Sequence, residues 1–95
     1  MEIEFTGEII YWRGPAPFFF VAVPENESQA IKAVSKLITY GWGVLPVHVR
    51  IGETELKTAL FPKDGRYLVP IKASVREAEN LEAGDMVNVQ LQFDI

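Results

Sequence analysis

Val87, Val89, Leu91 and Phe93 alternate with Asn88, Gln90 and Gln92, and this two-residue rhythm recurs along the chain. A period of two sends successive side chains to opposite faces, so each such run reads as a strand with one buried and one wet side. Ile3, Phe5, Ile9 and Tyr11 alternate with Glu2, Glu4, Thr6 and Glu8 in a first strand, where Gly7 interrupts the apolar face and suggests a bulge. Leu45, Val47, Val49 and Ile51 define another within Val44–Ile51, and Gly52-Glu53 turns it into the alternating run Thr54–Phe61. Pro62-Lys63-Asp64-Gly65 is turn chemistry and leads into a strand over Arg66–Lys72, which Pro70 marks as bulged or at an edge. Phe18–Val23 is instead continuously apolar, as expected of a strand buried on both faces, and Met86–Asp94 closes the chain.

One segment changes period. Ala30, Ile31, Val34, Leu37 and Ile38 share a helical face, with Lys32 and Lys36 opposite. Glu25 and Glu27 suit the positive end of that helix, Asn26 or Ser28 is placed to cap it, and Gly41 to end it. A second, short helix is expected near residues 73–80, anchored by Val75 and Ala78. Two prolines and a glycine in Trp12–Pro17 forbid helix or central strand and make a stiff loop. The expected fold is mainly β: a small six-stranded barrel, closed or partly open, capped by an α-helix over about residues 27–39. At 95 residues it reads as one domain, residues 1–95.

Composition removes several functions. There is no cysteine and one histidine, His48, so the usual transition-metal sets cannot be assembled and no cofactor is expected. The longest apolar run has six residues, Phe18 to Val23, against about 20 for a membrane span, and the acidic start Met1-Glu2-Ile3-Glu4 is unlike a secretory signal. A soluble cytoplasmic protein is the expectation. Ser28, Ser35 and Ser74 sit in no nucleophile motif, and His48 lies on the polar face of its strand, so no catalytic residue is assigned. The net charge of −4 opposes nucleic acid, but it hides a pattern. Residues 50–76 carry a local +3 and residues 77–95 a local −5.

That pattern supplies the candidate site. Arg13 follows Trp12 in the stiff loop, Lys63 and Arg66 flank a turn, and Lys72 and Arg76 bracket the start of the short helix. Cations held by rigid surroundings suit a phosphate or carboxylate. The plain alternative is that Lys63 and Arg66 solvate a hairpin tip and that Arg76 pairs with a nearby acid. Trp12, Tyr40 and Trp42 stand beside loop glycines, where aromatics plug the open end of a barrel or wall a ligand site. The candidate ligand-binding set is therefore Trp12, Arg13, Trp42, Lys63, Lys72 and Arg76, taking a small anionic or polar ligand at the barrel rim. The alternative is a protein-interaction or homo-oligomerisation module, in which the basic middle of one molecule meets the acidic end of another.

Several segments together resemble one family, the domain of unknown function 1905. They are FTGEI at residues 5–9, WRGPAPFFFVAVP at 12–24, YGWGVLPVHVRIGET at 40–54 and TALFPKDGRYLVPIKASVREAENLEAGDMVNVQL at 58–91. The resemblance implies a small β-barrel of prokaryotic origin, alone or joined to other domains, with no settled activity. Some relatives are coupled to a helical domain associated with bacteriocin resistance. Leu56 stands where many members have tryptophan and Ala59 where serine is frequent, so a pocket using those positions would be more apolar here.

Overall fold

The computed structural model describes residues 1–13, 18–38 and 45–94, and for residues 36–38 the backbone alone. Its elements run β1 (Glu2–Glu8), β2 (Ile10–Trp12), β3 (Phe18–Ala22), α1 (Glu25–Ile38), β4 (Leu45–Ile51), β5 (Thr54–Lys63), β6 (Arg66–Pro70), α2 (Ala73–Glu79) and β7 (Met86–Gln92). The seven strands form one curled antiparallel sheet in the order β1-β7-β4-β5-β6-β3-β2. The fold is mainly β, as the alternation requires, but the sheet is a curled half-barrel of seven strands rather than six.

The extra strand has a local cause. The run expected as one strand from Ile3 to Tyr11 is split at Ile9, whose N–H donates to the Asp85 carbonyl (2.9 Å) and whose carbonyl accepts from the Gly84 N–H (2.7 Å). Before that break the chain pairs with β7, and after it with β3. Gly7 makes no bulge, because β1 and β7 stay in one-to-one register through Gly7 and Val87. Glycine is needed there for space: a Cβ at Gly7 would sit 2.6 Å from Cγ1 of buried Val21. β5 is shared in the same manner. Its residues 54–60 pair with β4 and 61–63 with β6. The turn after it is only Asp64-Gly65, both at positive φ (51° and 80°), the two-residue turn that suits twisted hairpins.

The inner face carries the core. Phe5, Val21, Val47, Val49, Ile51, Leu60, Tyr67, Val69, Val87, Val89 and Leu91 are buried there, closed off by Ile31 from α1 and Val75 from α2. Pro70 ends β6, which lies inside the sheet between β5 and β3 and is not an edge strand. Asn80, in the left-handed conformation, stops α2 one residue before the expected end. Gly41, expected to end α1, lies outside the described residues. No helix among the described residues is long and apolar enough to cross a membrane.

α1 begins at Glu25, earlier than the spacing suggests, because the Pro24 carbonyl already accepts the Ser28 N–H at 2.8 Å. Neither Asn26 nor Ser28 is therefore the cap. Ser28 is buried inside the first turn and ties helix to sheet: its hydroxyl donates to the Val23 carbonyl (3.0 Å) and accepts the Tyr67 N–H (3.2 Å). Of the apolar helical positions Ile31 is buried and Val34 half-buried, while Ala30 is exposed. Ser28→Ala leaves the Tyr67 N–H buried without its acceptor, and such a loss costs about 1–3 kcal/mol. The urea midpoint is expected to fall accordingly with an unchanged slope; an unaltered midpoint would refute this role.

Candidate functional site

Curling gives the sheet two outer faces, and they differ in chemistry. On the β1-β7-β4-β5 half, register aligns Glu2, Gln92, His48 and Lys57 in one row and Glu4, Gln90, Arg50 and Glu55 in the next. These eight polar side chains line a shallow depression of about 690 Å³. Arg50 meets Glu55 at 3.5 Å with both side chains at least half exposed, a pair of small energetic value. An antiparallel sheet with one face in water ordinarily looks like this.

The other half breaks the rule. Register there places Trp12 opposite Phe18, Ile10 opposite Phe20, Phe20 opposite Pro70, and Leu68 opposite both Phe61 and Ala22. The rings touch in sequence: Trp12 to Phe18 edge-on at 5.4 Å, Phe18 to Phe20 at 5.3 Å, and Phe18 to Phe61 edge-on at 6.2 Å. These aromatic geometries add modestly to simple burial. Even so, Ile10, Trp12 and Phe61 stay 38%, 40% and 36% exposed. Leu68 on the same face is nearly covered and is not part of the inner core.

Two cations attend this end of the sheet. The Lys63 ammonium lies 5.1 Å from the Trp12 ring centroid, the distance of a cation–π contact. On the reverse side of the β2–β3 hairpin Tyr11 packs on Phe19 at 4.9 Å, and the Arg76 guanidinium lies 3.7 Å from the Phe19 centroid. Arg76 Nε also donates to the Ile71 carbonyl at 3.4 Å. Arg66 is spent on structure, its Nε donating to the Val23 carbonyl at 2.8 Å.

The six candidate residues are thus distributed unevenly. Trp12 and Lys63 are together on the outer aromatic face. Arg76 is on the opposite face of the hairpin, half-buried against Phe19. Lys72 is exposed one residue before α2, with its carbonyl accepting the Val75 and Arg76 N–H groups. Arg13 is exposed directly after β2, and Trp42, like Tyr40, lies outside the described residues.

Sequence reasoning missed Phe18, Phe20 and Phe61 as members of the face. It took Phe18–Val23 as buried on both sides, whereas Phe18, Phe19 and Phe20 are half-buried. A run of three phenylalanines with no polar residue between them was the available signal, but periodicity alone cannot say whether the second face is covered.

Arg76→Ala removes both the stacking on Phe19 and the bond to Ile71, contacts worth about 0.5–2 kcal/mol together. Arg76→Lys is expected to restore little of this, because the planar fork is what stacks. Paired urea melts check it: recovery of full wild-type stability by lysine would contradict the reading.

A family model described as a domain of unknown function (DUF1905) matches residues 5–91. No curated protein matches the chain.

Proposed function

The chain belongs to this family of unknown function, and from that premise we propose that it is a non-catalytic binding domain working through its aromatic outer face. The ligand class is one that offers an apolar or aromatic plane with negative charge beside it. One observation carries the reading. Among the described residues, the outward side chains of β2 and β3 form an apolar cluster with Phe61 of β5 and Leu68 and Pro70 of β6, and Lys63 lies over a Trp12 that remains 40% exposed.

The polar half of the same sheet is an internal comparison. Solvation alone accounts for Glu4, Arg50 and Gln90, but it does not account for Ile10, Trp12 and Phe61 exposed on one face, with Phe18 in contact with both Trp12 and Phe61. Contiguous exposed apolar surface of this kind marks interaction sites. Each exposed ring gains roughly 25 cal/mol per Å² when covered, a driving force available to any ligand that fits. Lys63 then selects for negative charge near Trp12.

The experiment is a fluorescence titration of the Trp42→Phe variant, so that Trp12 alone reports, with anilinonaphthalene sulfonate, indole acetate and adenosine monophosphate as probes. Saturable binding of at least one is expected. It should weaken about tenfold, the equivalent of about 1.4 kcal/mol, in Trp12→Ala, which lacks the reporter and is therefore followed by isothermal titration calorimetry beside the parent, and less in Lys63→Gln. Lys57→Gln on the polar face should change nothing. Absence of binding by all three, or binding indifferent to Trp12→Ala, would contradict the proposal.

A protein partner at the same face is the second reading, and the geometry of the face favours it. The apolar side chains spread over four strands at about 4.8 Å spacing, a broad surface rather than a cleft that could enclose a small molecule.

A further inference from the structure

We infer that the natural occupant of this site is an extended segment of a partner protein, alternating apolar and acidic residues, that adds as a strand beside β2. The inference rests on the aromatic face being the working surface and goes beyond it by naming the occupant and its mode of attachment. Three observations converge on it.

The first is the edge. β2 stands at one end of the strand order and, among the described residues, is hydrogen-bonded as a strand to β3 alone. Ile9 gives its N–H and carbonyl to the Gly84–Asp85 turn, on the side away from β3. Backbone alternation points Tyr11 the same way two residues later, beyond that turn. An extended chain can continue the ladder from there, and main-chain pairing of this kind supplies affinity without a cavity.

The second is the difference between the two terminal strands. β1, at the other end, carries exposed Glu2, Glu4 and Glu8, the charged type of edge that discourages pairing. β2 carries Ile10, Tyr11 and Trp12, all exposed and none charged. Among the described residues, one terminal strand carries charged guards and the other carries none.

The third is charge and its placement by face. A strand laid beside β2 sends alternate side chains to the two sides of the hairpin. On the outer side they meet Ile10 and Trp12, which suits apolar residues. On the reverse side lie Tyr11, Phe19 and the Arg76 guanidinium, with Arg13 following β2 in the chain, which suits carboxylates. The overall charge of −4 is not decisive, because screening at physiological salt acts over about 8 Å; what counts is the local set, Arg13 and Arg76 against Asp85 of the adjoining turn, whose carboxylate already accepts the Glu82 N–H at 2.9 Å.

The test is titration of the isotope-labelled domain, followed by nuclear magnetic resonance, with a synthetic peptide in which Phe alternates with Glu. Two control peptides accompany it: one with Lys in place of Glu, the other with the same side chains but alternate backbone nitrogens methylated. The parent peptide is expected to shift the Ile10–Arg13 amides and to slow hydrogen exchange at Tyr11. Methylation or the exchange of Glu for Lys should each weaken binding about tenfold or more. Equal binding by the methylated peptide would overturn strand addition, and equal binding by the lysine peptide would overturn the acidic specificity. If the aromatic anions bind at Trp12 and the parent peptide does not, this inference alone fails; if neither binds, the proposed function fails with it. Concentration-dependent dimerisation through β2 in the absence of peptide would replace the partner by a second copy and overturn the inference.

Discussion

Two stretches of chain that each serve both halves of the sheet are the constraint on which the rest of this structure depends. β5 leaves β4 for β6 between Leu60 and Phe61, and the β1–β2 run leaves β7 for β3 at Ile9. A flat sheet of seven strands would bury one face only against a separate layer. Bending at these two places lets the sheet wrap its own inner face around a shared core, with α1 and α2 closing what remains. The bend at Ile9 is held by two backbone bonds to the Gly84–Asp85 turn, and Gly7 leaves room for the close approach of Val21.

The same bends divide the outside. Residues of β5 before Leu60 present Glu55 and Lys57 outward, while Phe61 just after it faces outward on the other half. β1 presents glutamates and its continuation β2 presents Ile10 and Trp12. The change from polar to aromatic therefore falls at the points where the strands change partners. An apolar outer face is costly to leave in water, and among the described residues it is confined to one half of the sheet. Lys63 and Arg76, each stacked on an aromatic ring, place cations on both sides of the β2–β3 hairpin without closing it off.

Much of the fold was legible because alternation is a direct consequence of one buried face. Val47, Val49, Val89 and Leu91 are all in the core that their spacing predicts. The break at Ile9 was not legible, since it depends on hydrogen bonds to residues far along the chain, and no local residue announces it. The cap of α1 was misassigned for a related reason: Ser28 has the chemistry of a cap, but it lies within the first turn and its hydroxyl accepts the Tyr67 N–H across the interface. Of the site, the pairing of Trp12 with Lys63 lies within the residues singled out from charge and loop chemistry. The aromatic face itself was hidden, because Phe18 and Phe20 read equally as core, and only the sheet's curl shows which side remains open. Arg13, Lys72 and Arg76 were grouped by charge, and charge carries no information about the face to which each one turns.

The central claim is that, among the described residues, Ile10, Trp12 and Phe61 are exposed apolar surface on the outer side of the sheet while the inner side is sealed. Paramagnetic relaxation by a neutral soluble nitroxide measures this directly, side chain by side chain. The account predicts strong relaxation at Ile10, Trp12 and Phe61, comparable with that at Glu4 and Gln90, and little at Val49, Val69 and Val89. Protection of Ile10, Trp12 and Phe61 to the level of Val89 in the isolated domain would show the face already covered and would contradict the account.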